Sequence, residues 1–232
     1  MTDIAAMDEG LKDDIASSCK ARSDFYRFLA SIFLYELTDA QIETVAATHF
    51  PQGDDSVGKG YARIAEYVRH RDTGTRQELA VDYARVFLGA GQYDKITAPP
   101  YESVYTSEDH LLMQDARDGA LKYYRSEGLD LPDDNTTPED HVGFEMQFMA
   151  TLVERTAAAL EEGDGKRFDA LVKTQRGFFE EHLANWLPTF ADDIDRHCKT
   201  DFYHGIADLV RGLLEEERAV LDDLQSLVEE AA

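Results

Sequence analysis

The side chains able to do chemistry are seven histidines and two cysteines scattered among 47 carboxylates. Asp140-His141 with Glu145 is the densest group, because His141 and Glu145 stand four apart and share one face of a helix. Such a pair could offer two ligands to a metal, or could bond along the helix. A carboxylate-bridged metal centre in a helical bundle needs Glu-x-x-His on two helices, and that pattern occurs nowhere in the chain. Gly163-Asp164-Gly165-Lys166 has the shape of the end of a phosphate loop. Leu160, however, stands at its first glycine and Arg167 at its Ser or Thr. No Gly-x-Ser-x-Gly elbow is present. The residues therefore predict no catalytic apparatus, no metal and no cofactor. They leave a binding role, with Asp140-His141 as a polar latch whose histidine can change charge near neutral pH.

The elements that must position this latch are helices. Ile15, Cys19, Phe25, Phe28, Leu29, Ile32 and Phe33 recur at helical spacing and predict a long first helix. Thr38-Asp39-Ala40-Gln41 and Thr75-Arg76-Gln77-Glu78 match capping boxes, and Gly89-Ala90-Gly91 supplies a left-handed stop. Pro99-Pro100 then holds the chain extended and presents Tyr101 and Tyr105. Ser107 is expected to cap a helix to Glu127 with Leu111 and Leu112 facing in. Gly128 to Glu145 breaks the pattern, because Pro132 and Pro138 do not fit inside one helix. Thr137 reads as the N-cap of the next helix and Pro138 as its first residue. Further helices are expected from Lys166 to Trp186, after Pro188, and from Thr200 onward, where Glu215-Glu216-Glu217 reads as a solvated face. With no alternating strand pattern, the prediction is an all-α bundle of about nine helices in two lobes. Residues 1–127 form an N-terminal lobe with the proline–aromatic loop, 128–137 a proline-containing hinge, and 138–232 a C-terminal lobe.

The formal charge of −24 repels nucleic acid and anionic membranes and favours basic partners. No apolar run reaches the length of a membrane span, the N-terminus has no secretory h-region, and the cysteines form no Cys-x-x-Cys unit. The expected compartment is the cytoplasm, with no stable membrane insertion.

Three segments in order carry a family resemblance. Tyr83-Ala84-Arg85-Val86-Phe87-Leu88-Gly89, Ala98-Pro99-Pro100-Tyr101-Glu102-Ser103-Val104-Tyr105 and Thr137-Pro138-Glu139-Asp140-His141 resemble those of the TorD/DmsD/NarJ redox enzyme maturation chaperones. Phe179 to Pro188 is similar to the family's tail segment. Val86 stands for the usual Leu, and Thr137 for the usual Glu. The resemblance implies a cytoplasmic, non-enzymatic chaperone that binds the twin-arginine signal peptide and apo-subunit of a molybdenum-cofactor oxidoreductase until cofactor insertion is complete. It implies signal-peptide contacts at Tyr83, Val86, Phe87, Pro100, Tyr101, Asp140 and His141, with Glu102 and Tyr105 as possible additions. It also implies a monomer or a dimer that exchanges halves. The rival readings are a metal- or nucleotide-dependent helical enzyme and a helical scaffold without leader preference.

Overall fold

The computed structural model describes residues 1–91 and 97–230, and every structural statement below concerns those residues. The chain is all-α, with ten α-helices: α1 (Glu9–Leu34), α2 (Asp39–Ala47), α3 (Ser56–Arg69), α4 (Thr75–Phe87), α5 (Glu102–Thr106), α6 (Asp115–Ser126), α7 (Val142–Glu162), α8 (Gly165–Phe178), α9 (Leu187–His197) and α10 (Asp201–Glu230). A short 3-10 turn, Ile4–Ala6, precedes them, and a π-helical turn, Phe179–Leu183, follows α8.

Local chemistry explains most boundaries. Asp8 caps α1 through the amides of Gly10 and Leu11, and Thr38 and Gln41 form a reciprocal capping box on α2. Gly163 ends α7 at φ 72°, a left-handed conformation that costs a side-chain-bearing residue more than glycine. Pro188 sits in the first turn of α9, where its missing amide leaves no bond unmade. The second expected box fails. Thr75 lies inside α4 and turns its hydroxyl back to accept from the Asp72 amide at 2.8 Å.

Two interfaces organise the bundle, α1 against α7 and α3 against α10. Both join the first half of the chain to the second, across the α6–α7 connection that contains 128–137, and one continuous apolar core runs through them. At the second interface the backbones nearly touch. A Cβ on Gly60 would lie 2.8 Å from the Gly205 carbonyl oxygen, and a Cβ on Gly205 would lie 2.8 Å from that of Gly60. Only glycine at both positions permits this crossing.

Two expected boundaries move, and one expected solvated residue is buried. The helix after Ser107 starts at Asp115, and Leu111 and Leu112 are exposed instead of facing in. The helix after the break starts at Val142, not Pro138, because Pro138 to Asp140 form a turn closed by the His141 amide on the Pro138 carbonyl. Glu217 is not solvated. It is 1% exposed and paired with Arg22, while Glu215 and Glu216 are exposed as expected.

Candidate functional site

The proline–tyrosine loop and the Asp140-His141 turn lie side by side. Ala98 donates its N–H to the Val86 carbonyl at 2.9 Å, which ties the start of the loop to the end of α4. Three residues later the chain meets the turn before α7 in a one-residue antiparallel bridge, Tyr101 opposite His141. Val142 donates to the Pro100 carbonyl at 2.9 Å and Glu102 donates to the Asp140 carbonyl at 3.0 Å. The Tyr101 ring meets the His141 ring edge-on at 5.0 Å. Pro100 has no N–H but still offers its carbonyl, which is why a proline can sit in this bridge.

Asp140 and His141 act inward here. Asp140 is fully buried, and its Oδ2 accepts from the Ser103 amide at 2.9 Å, capping the first turn of α5. Its Oδ1 is buried with no hydrogen-bond partner among the described residues. His141 is the N-cap of α7, with Nδ1 accepting from the Gly143 amide at 3.0 Å, so its proton sits on Nε2. Burial pushes His141 down to about 4. It is therefore neutral near pH 7 and does not titrate there, contrary to the switch expected from its type.

The α4 stripe is core. Tyr83, Val86 and Phe87 are buried, with Tyr83 donating its hydroxyl to the Phe33 carbonyl at 2.8 Å. Phe87 packs against Phe33, Tyr83 and Tyr203 at centroid distances of 5.6, 5.1 and 5.5 Å. Burial, then the adjacent Tyr101, pushes the Tyr83 phenol up to about 12. Pro100 is also buried. Of the nine residues named from sequence, Tyr101 and Tyr105 keep partial exposure, next to half-buried Pro99, and the other seven lie in the body beneath them. Tyr105 lays its ring against Trp186 and Phe190 at 5.1 and 5.9 Å.

Below the bridge lies a polar cluster that sequence reasoning saw only in part. Glu102 Oε2 pairs with His182 Nδ1 at 2.7 Å, and Glu102 Oε1 accepts from Asn185 Nδ2 at 2.9 Å. His182 belongs to the π-helical turn, closed by the Ala184 amide on the Phe179 carbonyl, and its own carbonyl accepts from the Trp186 indole at 2.7 Å. Glu145 completes the group. It is fully buried, neither of its oxygens has a hydrogen-bond partner, and it offers an atom within 4.8 Å of both Glu102 and His182. Its sequence signal was its place four residues after His141 in the densest ionisable group.

These three side chains are of types that bind metals. However, Glu102 and His182 stand closer at 2.7 Å than the ~3.4 Å between two ligands of a tetrahedral ion with bonds of about 2.1 Å. As placed, they form a hydrogen-bonded contact, not a coordination shell. His141, four residues before Glu145 on the chain, is outside the group. Burial first, then the charges of Glu102 and Asp140, raise Glu145 well above the usual carboxylate range. Burial thus favours its neutral form, which avoids much of the cost of an isolated buried charge.

This geometry predicts a graded response at Asp140. Asp140→Ala leaves the buried Ser103 amide without an acceptor and is expected to cost about 1–3 kcal/mol in urea unfolding. Asp140→Asn retains a carbonyl acceptor and should cost clearly less. Equal losses would mean that the carboxylate charge matters more than the cap.

The model of the nitrate reductase delta subunit family matches residues 51–192, a span that contains α4, the loop, the bridge and the π-helical turn. The chain belongs to this family. Its motifs place it with the TorD/NarJ chaperones. Named chaperone protein TorD, relatives from Psychrobacter sp. (strain PRwf-1) and Aliivibrio salmonicida (strain LFI1238) are each 27% identical to it. The first alignment covers 88% of this chain and 93% of that relative; the second covers 84% and 91%. In three dimensions it is similar to a redox enzyme maturation protein from Archaeoglobus fulgidus. That match has a TM-score of 0.50 and 16% identity over 85% of this chain and 93% of the other, a likeness of fold. The chain is thus a chaperone of redox-enzyme maturation and not a catalyst. No helix among the described residues is long and apolar enough to cross a membrane.

Proposed function

We propose that this chaperone acts in the cytoplasm on the apo-subunit of a molybdenum-cofactor oxidoreductase and binds its twin-arginine leader. The observation that carries the reading is the Tyr101–His141 bridge. It joins two sequence-distant family segments into one surface, with Pro99, Tyr101 and Tyr105 partly exposed over a rigid, fully packed base. Aromatic and proline surfaces of this kind bind peptides at low entropic cost. The buried residues Tyr83, Val86, Phe87, Pro100, Asp140 and His141 act as positioning residues, and Glu102 anchors α5 from below. The net charge of −24 favours encounter with a leader that bears two guanidiniums.

Titration calorimetry with a synthetic twin-arginine leader tests this reading. Affinity is expected to fall at least about tenfold when the arginine pair becomes Ala-Ala, and to weaken as salt rises. Tyr101→Ala, on the exposed rim, should weaken binding without changing the melting temperature by more than a few degrees. Equal affinity for the leader and a scrambled peptide of the same composition would dismiss the proposal.

A further inference from the structure

The segment between α5 and α6 is built unlike the rest of the molecule. Leu111, Leu112 and Met113 are consecutive and 54%, 45% and 58% exposed, a run of large apolar side chains turned to solvent. Isolated exposed apolar residues are common, but a contiguous patch marks an interaction surface. The two non-glycine residues with positive φ, His110 at 53° and Met113 at 60°, both lie in this segment. Such conformations persist when surrounding bonds hold them, and they concentrate at functional sites. The holding bonds are present. His110 Nδ1 contacts the Val104 carbonyl at 2.8 Å, the Gln114 amide donates to Ser103 Oγ at 3.0 Å, and the Leu111 amide donates to Ser107 Oγ at 3.2 Å. Two of these anchors are residues of α5, the helix that Asp140 caps. The apolar tip is thus fixed to the same short helix as the candidate peptide surface.

Charge decides what the tip can receive. Glu108 and Asp109 precede it and Asp115 and Asp118 follow it, all exposed, while the nearby cation Arg117 is engaged by Glu139. A second copy of this chain would bring like-charged rims together and is disfavoured. An apolar segment adjoining positive charge fits both features.

We propose that Leu111, Leu112 and Met113 form the docking surface for the apolar stretch that follows the arginine pair of a leader peptide. This inference rests on the leader-binding function and assigns that partner's apolar part to a specific loop. It divides the work, with the Pro99–Tyr105 surface and acidic rim taking the basic end and the tip taking the apolar end.

Calorimetry on the full chain separates the two claims. One titration uses wild-type protein, and another uses Leu111→Ser/Leu112→Ser/Met113→Ser. A control leader has its apolar stretch replaced by serines and glycines. The triple variant is expected to melt within a few degrees of wild type, because the altered side chains are exposed. It should bind the intact leader at least tenfold more weakly. With the control leader, wild type and variant should bind alike. The single variant Leu112→Ser should show a smaller loss in the same direction. If wild type binds the leader and the triple variant binds it equally well, the docking surface is wrong and leader recognition stands. If wild type shows no leader binding, both readings fail. A dimer in light scattering that the triple variant abolishes, with leader affinity unchanged, would reassign the tip to self-association.

Discussion

Glu217→Ala is expected to destabilise the protein by about 3–5 kcal/mol, roughly 10 °C in melting temperature for a chain of this size. Arg22 on α1 and Glu217 on α10 form a two-pronged pair, Nε to Oε2 at 2.9 Å and Nη2 to Oε1 at 2.5 Å, with the residues 8% and 1% exposed. Arg22 Nη2 also reaches Gln175 at 2.6 Å, and Gln175 in turn donates to Thr156 at 2.7 Å. Removing the carboxylate strands a guanidinium that already has one buried nitrogen, Nη1, without a partner. The penalty is that of an uncompensated buried charge, not of one lost contact. The same reasoning predicts rescue, because Arg22→Met with Glu217→Leu removes both charges and should recover most of the loss. Urea unfolding of wild type, Arg22→Met, Glu217→Leu and the double variant completes the cycle. A Glu217→Ala cost below about 1 kcal/mol would place the pair among ordinary surface salt bridges.

The second large effect is hidden in the wild-type protein. His141, held at about 4 by burial, is neutral when folded, whereas the unfolded chain takes up its proton near 6.5. Its stabilisation is complete above pH 6.5 and is lost as pH falls towards 4, at about 1.4 kcal/mol per unit and ~3 kcal/mol in all. Glu145 works in the opposite sense. Its folded carboxyl stays protonated above the ordinary value of 4.5, because of burial and then Glu102 and Asp140. Its contribution is complete below that value and declines as pH rises until the folded carboxyl ionises. Above about pH 4.5 the two slopes oppose each other, so His141 and Glu145 partly cancel in the wild-type stability profile. Each single variant should unmask the other residue. Glu145→Gln should become more stable as pH rises to 6.5, and His141→Asn, which keeps a capping acceptor at the start of α7, should become less stable over the same range. Denaturant midpoints at half-unit intervals measure both, and a Glu145→Gln profile parallel to wild type would show that Glu145 does not hold its proton in the fold.

What the chain shows in advance follows from how local each cause is. The Thr38–Gln41 box is set by residues within one turn and appears where the sequence places it, and the Gly163 stop and the Pro188 start have equally local causes. Thr137-Pro138 carries equally good local start signals, yet α7 begins at Val142. The Asp140 backbone and side chain are held by Glu102 and Ser103, which are remote in sequence. Leu111 and Leu112 are apolar at helical spacing, but the left-handed turn at His110 and the bonds to α5 keep them out of any helix. Glu217 looks like part of a solvated acidic run because its partner lies at the other end of the chain. For the site, the sequence indicates which segments matter through family likeness. Whether their side chains point outward depends on the bridge and the core, and most point in.

The two main interfaces also bear on how the chaperone is made. α1 finds its partner only when α7 has been synthesised, and α3 waits for α10, the last helix. Until then the apolar faces of the emerging N-terminal helices lack their main cover, a condition that slows folding and invites aggregation. The chaperone thus passes through an exposed stage of its own during translation, in which its net charge of −24 disfavours contact between nascent chains.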